Sequence, residues 1–312
     1  MQVRAWGYDA YGQCNVPTDL GPCTAIAAGN DHTLALRPDG TVRAWGWNEL
    51  GECNVPIDLG PCSAIAGGYF HTVVLRNDGT VMAWGEGTAL AQPNHDAPYG
   101  QSIVPADLGP CMGIAAGHFH TVALRSDRTV RAWGANTAEL DWFRLMLLRL
   151  GYKGLTAWVS RTLSYPNFGQ CIVPADLGPC TAIAGGSYQT IALRTDGTVR
   201  AWGLNSAGQC NVPADLGVCI AITCGDWHTA VLSASGTVRA WGRNSSGQCN
   251  VPTDLGPCTA IASGLNHMVA LRLDGTVIAW GDNSFGQCDV PANLGPCTAI
   301  AAGGDRTIVI KR

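Results

Sequence analysis

The sequence has little charge, no long apolar run and no cluster of basic residues. Charged residues make up 13% of the 312 positions, about half the usual share. No apolar stretch approaches the roughly 20 residues of a membrane-spanning helix, so we expect no membrane association. The net charge is −4 and the few basic residues recur at regular intervals, which argues against nucleic-acid binding. The opening MQVRAWG already belongs to the repeat described below, so we predict no signal peptide and a cytoplasmic location.

The chain is built from one repeated unit. The sixteen residues GQCNVPTDLGPCTAIA occur at 12–27 and again at 247–262. The dipeptide Trp-Gly recurs with a period of 39 residues, as from Trp6 to Trp45, and the period is broken by only two insertions. Seven units and these insertions account for the whole chain. We therefore predict a single domain over 1–312 with a loop insertion at 86–99 and a second insertion at 136–168.

Each unit contains three apolar stretches and a shorter fourth. In one unit they are CTAIAAG at 23–29, HTLALR at 32–37, TVRAWG at 41–46 and CNVP at 53–56. Turn residues separate them, which predicts four short antiparallel strands, named A to D from the axis outward. Such a unit is typical of a propeller blade. We predict an all-β fold, a seven-bladed β-propeller of four-stranded antiparallel blades.

The two ends of the chain are predicted to share the last blade. The final DRTIVIKR is a strand B without a strand C, and the first QVRAWG is a strand C without its A and B. Pairing them closes the ring and removes the free sheet edges. Because successive strands alternate in direction, the A–B and C–D turns emerge on one face and the B–C turns and D–A links on the other.

The repeated pattern AGxxHTxALRxDGTVxAWGxNxxGQCxVP resembles the regulator of chromosome condensation repeat family over all seven units. The resemblance implies a seven-bladed propeller. With GGYFH at 67–71 and its short repeats, the chain is also similar in style to bacterial propellers of this family that inhibit β-lactamases. In those, an aromatic loop face clamps the target enzyme, so the resemblance implies binding of a protein.

Comparison of the seven units separates a uniform face from a variable one. The B–C turns and D–A links barely change, whereas the A–B and C–D turns differ in every unit. Exposed aromatic residues in variable turns are favoured as binding anchors, although such rings would also suit the mouth of the central channel. We predict that the variable face binds a partner protein. Its predicted binding residues are Tyr8, Tyr11, Trp47, Tyr69, Phe70, Phe119, Tyr188, Trp227 and Phe285.

The thirty-residue insertion is predicted to form a helical hairpin. Asn136 is suited to cap a helix over 137–150, and a second short helix is predicted over 156–164. The first helix carries more apolar residues than one buried stripe needs, so it packs either on the propeller's own rim or on a partner or apolar ligand. The predicted binding residues of this insertion are Trp142, Phe143, Met146 and Trp158.

Few residues are suited to chemistry. Glu86, His95 and Asp96, with His118 and His120 of the next unit, make a set that could hold a divalent metal or act as acid and base. His120 recurs in phase in other units, which favours a structural role. The sequence has no nucleophile elbow, phosphate loop or paired-carboxylate motif. We therefore predict no catalytic residues, no metal and no cofactor.

Fourteen cysteines are present, and twelve of them form pairs nine positions apart. The two members of a pair would start strands roughly 15 Å apart, which is beyond disulfide reach. We interpret them as small buried hydrophobic residues.

Three classes of function remain open at this stage. We favour a monomeric protein-binding propeller of inhibitor or adaptor type that uses its variable face and its helical insertion. The close similarity of the units also suggests an engineered or structural repeat scaffold with a grafted helical loop. The third class is a metal-dependent propeller enzyme.

Overall fold

The computed structural model describes residues 2–87, 100–135 and 168–312. In this part of the chain seven antiparallel sheets surround a common axis, and each sheet has three strands. The sheets are numbered as blades 1 to 6 along the chain from Ala25 onward, and blade 7 contains both ends of the chain. Within these residues, no helix is long and apolar enough to cross a membrane.

Strands are numbered in chain order. The innermost strands, A, are β2 (Ala25–Ala28), β5 (Cys62–Gly67), β8 (Cys111–Ala116), β11 (Cys180–Gly185), β14 (Cys219–Cys224), β17 (Cys258–Ser263) and β20 (Cys297–Gly303). The middle strands, B, are β3 (His32–Leu36), β6 (His71–Arg76), β9 (His120–Arg125), β12 (Gln189–Arg194), β15 (His228–Ser233), β18 (His267–Arg272) and β21 (Arg306–Lys311). The outer strands, C, are β1 (Gln2–Gly7), β4 (Val42–Gly46), β7 (Val81–Gly85), β10 (Val130–Gly134), β13 (Val199–Gly203), β16 (Val238–Gly242) and β19 (Val277–Gly281).

The predicted closure of the ring by both chain ends is confirmed. Blade 7 has the strand order β1-β21-β20, and Val3 of the first strand lies opposite Ile310 of the last. Each strand A contacts the strand A of the next blade, and β20 contacts β2. The backbone hydrogen bonds of blade 7 therefore join the two ends of the chain.

The hydrophobic core lies between adjacent blades. Ala230 and Leu232 of blade 5 pack with Met268 and Ala270 of blade 6, and all four are fully buried. A sheet that is covered on both sides needs apolar residues at successive positions, because alternate side chains point to opposite neighbours. This requirement explains the consecutive apolar residues of the strands B, such as Leu34, Ala35 and Leu36 of β3.

The prediction of four-stranded blades was wrong. The predicted fourth strand at 53–56 forms no ladder with β4. Its backbone is satisfied locally: Asn54 N donates to Gly51 O at 3.0 Å and Val55 N to Cys53 O at 3.0 Å. Pro56 has no N–H to offer a neighbouring strand. The segment after each strand C is therefore a series of turns and not a strand.

The predicted helical hairpin also requires correction, because no helix occurs in the part of the chain that the structure describes. The predicted helices at 137–150 and 156–164 lie outside the described residues. So do Trp142, Phe143, Met146 and Trp158 of the predicted binding set. Positions 88–99 of the shorter insertion lie outside them as well.

Candidate binding face

The A–B turns and the residues after the strands C form one continuous face. In every blade the first residue after strand C donates its N–H to a carbonyl of the A–B turn. Trp47 N donates to Asp31 O at 2.9 Å in blade 1, and Glu86 N to Phe70 O at 2.8 Å in blade 2. We call these turns and segments the variable face. The B–C turns and the links to the next strand A meet on the opposite side, the uniform face, where Cys62 N donates to Gly40 O at 2.8 Å.

A layer of buried histidines underlies the variable face and joins adjacent blades. His32 Nε2 lies 3.0 Å from Thr72 Oγ1 of the next blade, and the Thr72 hydroxyl donates to Glu52 O at 2.8 Å. The imidazole must therefore donate from Nε2, which leaves Nδ1 without a proton or a partner. Burial lowers the pKa of His32 to about 3, so the ring is neutral. The repeated histidines thus have a structural role.

Blade 7 carries an arginine at the histidine position. Arg306 is 1% exposed, and its guanidinium donates to Gly29 O at 3.1 Å and to Thr33 Oγ1 at 3.1 Å. It also donates to the carbonyls of Asn30 and His32. This one side chain fastens blade 7 to blade 1, where the ring closes.

Nine aromatic residues form a continuous arc across the variable face. Phe285 of blade 6 contacts Tyr8 of blade 7 with ring centroids 4.9 Å apart. Trp47 of blade 1 contacts Phe70 of blade 2 at 5.1 Å. The further contacts join Tyr8 to Tyr11, Tyr11 to Trp47, Phe70 to Tyr69 and Phe119, Phe119 to Tyr188, and Tyr188 to Phe168. This set, the aromatic arc, spans six blades.

The structure brings together eight of the nine described residues in the predicted binding set. Trp227 is the exception, because it lies in blade 5, away from the arc. The Arg243 guanidinium lies over the Trp227 ring, with Cζ 5.9 Å from the ring centroid. The sequence analysis missed Phe168, which completes the arc. Phe168 precedes a Gly-Gln dipeptide, as Tyr11 and Phe285 do in their units. This shared position in the repeat could have predicted that Phe168 belongs with them.

The central channel opens beside the arc, where Tyr69 contacts His118 of the channel mouth with ring centroids 4.7 Å apart. It has a volume of about 470 Å³ and is lined by the seven strands A, with Asn30, His118, Ser187 and Asp226 at its mouth. Of the residues that the structure describes, no ring of the arc lines this channel.

Carboxyl groups from several blades crowd the variable face near the mouth. Burial and the neighbouring Asp282 and Asp31 raise the pKa of Asp305 to about 6. Burial also raises the pKa of Asp31 and of Asp226. Burial raises the pKa of the Tyr69 hydroxyl, and the charges of Asp31, Asp226 and Asp305 add to this effect. Within the described residues no ion pair neutralises them.

Glu52 is a buried carboxyl group beneath the arc. It holds the position that a glutamine holds in the other units, and it is fully buried. Its Oε2 accepts the N–H of Leu50 at 3.1 Å, whereas its Oε1 has no partner. Burial raises the pKa of Glu52 to about 7.

His118, Ser187 and Asp226 form a hydrogen-bonded chain, but not in the order of a hydrolase triad. His118 Nε2 lies 3.0 Å from Ser187 Oγ, and the Ser187 hydroxyl donates to Asp226. In a triad the histidine stands between the serine and the acid, whereas here the serine is central and only 1% exposed. The chain links three blades and does not present a nucleophile.

His118 and His120, two members of the set that could hold a metal, are engaged in hydrogen bonds between blades. His120 Nε2 bonds Thr190 Oγ1 at 3.0 Å and His118 bonds Ser187, while His95 and Asp96 lie outside the described residues. Among residues 2–87, 100–135 and 168–312 no group of three His, Cys, Asp or Glu side chains is suited to hold a metal.

A family model of the regulator of chromosome condensation (RCC1) repeat matches six segments, which together make up more than half of the chain. They are residues 23–52, 62–89, 113–138, 180–209, 219–248 and 258–287. The chain belongs to the RCC1-repeat family. No curated protein sequence matches it significantly.

Solved structures of similar fold share little sequence with this RCC1-repeat propeller. Prp20p of Saccharomyces cerevisiae is 17% identical with a TM-score of 0.74, covering 99% of this chain and 91% of its own. Human WBSCR16 is 17% identical with a TM-score of 0.74, covering 100% of both chains. The ACR4 ectodomain of Arabidopsis thaliana is 16% identical with a TM-score of 0.66, covering 93% of both. At this identity the likeness concerns the fold alone.

The cysteines of this RCC1-repeat chain are all free. One member of each pair is buried at the start of a strand A, as Cys62 is. The other stabilises a turn of the variable face, where Cys53 Sγ donates to Trp47 O at 3.2 Å. Burial raises the pKa of Cys53 to about 12, so this thiol is a poor nucleophile.

The uniform face of the RCC1-repeat propeller holds its charges in satisfied pairs. In the turn of blade 1, Asp39 accepts the N–H and the hydroxyl of Thr41 at 2.9 and 2.7 Å, and these bonds lower the pKa of Asp39. The same Asp–Thr pair recurs in blades 2, 3, 4 and 6. Nearby, Arg43 pairs with Asp19 at 3.1 Å, and three more such ion pairs recur around the ring.

Proposed function

We propose that this propeller is a protein-binding module that recognises its partner through the aromatic arc of the variable face. The observation that carries the proposal is the continuity of the arc, because rings from six blades meet on one side of the disc. Aromatic rings supply large contact areas at a low cost in conformational entropy, and they are enriched among the residues that dominate binding energy.

Folding does not require these rings. At the unit position of Tyr11 and Phe285, other blades carry Leu50, Ala207 and Ser246, and those blades fold in the same way. Tyr11 and Phe285 are each 50% exposed, so much of their apolar surface contributes nothing to the core. Large apolar side chains that folding does not need favour an intermolecular role.

The solved neighbours support a binding function in general terms. Prp20p has binding properties to Gsp1p and histones, and Kap60 binds yeast RCC1. We also propose that the chain binds without catalysis, because its serine-histidine-aspartate chain has the wrong order for a nucleophile and its serine is buried.

The test compares two double variants in affinity capture from cells that express the protein. Tyr11→Ala with Phe285→Ala removes two exposed rings of the arc. Ile57→Ala with Leu273→Ala removes two exposed apolar side chains of the uniform face, where Ile57 is fully exposed and Leu273 is 75% exposed. Captured proteins are quantified by mass spectrometry, and thermal unfolding checks that both variants fold.

We expect the arc variant to lose about tenfold or more of a specific partner, as anchors worth at least about 1.4 kcal/mol would. The uniform-face variant should retain the partner at the wild-type level. Equal capture by both variants would contradict the proposal, and this result is also what a structural scaffold without partners predicts.

A further inference from the structure

We infer that the segment docked on the variable face is basic, rich in lysine and arginine; this inference rests on the function proposed above. The occupant is thus a partner protein that presents a cationic segment to the aromatic arc and to the carboxyl groups at the channel mouth.

The first argument is the charge of the variable face. Apart from the fully buried Glu52 and Arg306, its described segments contain eight acidic residues and one basic residue. The acidic residues are Asp9, Asp31, Glu49, Glu86, Asp226, Asp282, Asp289 and Asp305, and the basic one is Arg243. The net charge of the whole chain is only −4, so the acidic excess is concentrated on this side. A partner of opposite charge associates faster with such a face and is held in a defined orientation on it.

The second argument is that several of these acids form no ion pair, although Arg306 and Arg243 lie near enough to offset part of their charge. Asp31, Asp226 and Asp305 come from the A–B turns of three blades, and the charge of each raises the pKa of Tyr69. Arg306 lies near Asp31 and Asp305, but four of its five guanidinium hydrogens are donated to Gly29 O, Thr33 Oγ1 and two further carbonyls. In the described residues no ion pair reaches the three carboxylates. A cation supplied from outside would relieve their mutual repulsion.

The third argument is the arrangement of acceptors and rings. Asn30 Oδ1 is shielded from solvent and has no hydrogen-bond donor, and Asn30 lines the channel mouth. Its amide nitrogen donates to Asp31 at 2.5 Å. Next to these acceptors stand Tyr69 and Phe70, with ring centroids 4.2 Å apart. Aromatic faces and oxygen acceptors together suit an ammonium or guanidinium group on an alkyl stem.

The test uses two fluorescein-labelled 15-residue peptides and the whole chain. One peptide repeats Lys-Ala-Arg-Leu-Ser three times, and the other has glutamate in place of each basic residue. Binding is measured by fluorescence anisotropy at low salt. The test variant is Asp31→Asn, Asp226→Asn and Asp305→Asn; the control is Asp39→Asn, Asp78→Asn and Asp196→Asn on the uniform face, which makes the same change in net charge. Asparagine can still accept the turn hydrogen bonds in both variants.

We expect the wild-type chain to bind the basic peptide at least about tenfold more tightly than the acidic one. The test variant should lose about tenfold in affinity, as three weak charge pairs would, and the control should stay within about twofold. Equal binding of the two peptides, or an equal loss in both variants, would overturn the inference.

The failure of this inference and that of the proposed function are distinguishable. If arc-dependent capture of a partner is unchanged in the Asp31, Asp226 and Asp305 variant, the proposed function stands and the basic segment is wrong. If no captured partner depends on Tyr11 and Phe285, the proposed function itself fails.

Discussion

Aspartate side chains lie in opposite environments on the two faces of the disc, and their pKa values shift in opposite directions. On the uniform face, the Asp39 carboxylate accepts two hydrogen bonds from Thr41, and its pKa lies below the ordinary value. On the variable face, Asp305 is half-buried beside other acids, and its pKa rises to about 6. The carboxylates of the uniform-face turns are stabilised by hydrogen bonds within the turn, whereas the variable face holds carboxyl groups whose ionisation is costly. Perturbed groups of this kind are concentrated at functional sites.

The largest expected effect concerns the layer of polar groups directly under the variable face. Arg306→Ala should lower the free energy of unfolding by about 3 to 5 kcal/mol, because several buried carbonyls lose their donor and a cavity remains. Urea unfolding followed by tryptophan fluorescence measures this loss.

Arg306→His is the matched control, because it restores the residue that most other blades carry at this position. A histidine there can donate to Thr33 as His32 does to Thr72, so the loss should stay below about 1 kcal/mol. A loss below about 1 kcal/mol in Arg306→Ala as well would mean that the guanidinium bonds do not hold blade 7 to blade 1.

The second prediction concerns Glu52, whose pKa rises to about 7 from an ordinary 4.5. Between these values the unfolded chain releases the proton and the folded chain keeps it, so stability should fall as the pH rises from about 4.5 to 7. Glu52→Gln should remove this fall and stabilise the protein by about 2 to 3 kcal/mol at pH 8. Below about pH 4.5 it should have little effect.

The exposed Glu49→Gln provides the control for that experiment, and urea midpoints between pH 4 and pH 8 provide the measurement. A pH dependence of stability that is the same in the wild type and in Glu52→Gln would show that the buried carboxyl is not destabilising.

The smallest expected effect lies on the uniform face. Arg128 has a φ of 69° in the turn of blade 3, where blades 1 and 2 have Gly40 and Gly79 at 83° and 84°. A side chain in this left-handed region is strained, so Arg128→Gly should raise the free energy of unfolding by about 0.5 to 1 kcal/mol. The reverse change, Gly79→Arg, should lower it by about 1 kcal/mol. Urea midpoints that move the other way would refute the strain.

The sequence predicted the architecture because every blade repeats the same signals. The Trp-Gly period gave seven blades, and the incomplete units at the chain ends predicted the pairing of β1 with β21. The contrast between repeated and variable turns also predicted which residues share a face. These features depend on strand direction and on repetition, and both can be read from one chain.

The fourth strand was not predictable in the same way. Apolar and polar residues alternate at the start of the CNVP stretch, and Val55 is β-branched, as in a strand. However, the N–H groups of the stretch are satisfied by the preceding turns: Cys53 N, for example, donates to Asn48 Oδ1 at 2.8 Å. The continuity of the arc could not be predicted from the sequence either, because it depends on the side-chain conformation of each ring and on its distance from the ring of the next blade. Tyr11 and Trp47, for example, meet at 6.5 Å across a blade boundary. The raised pKa of Asp305 likewise depends on acids from other blades.

Site-specific photocrosslinking tests most directly whether the variable face is the binding surface. Benzoylphenylalanine is placed at Phe285 or Tyr11 in the arc, or at Leu273 or Ile57 on the uniform face, and the cells that express the chain are irradiated. Our account predicts a crosslinked partner from the two arc positions and none from the two uniform-face positions. Crosslinks from Leu273 or Ile57 alone would contradict it.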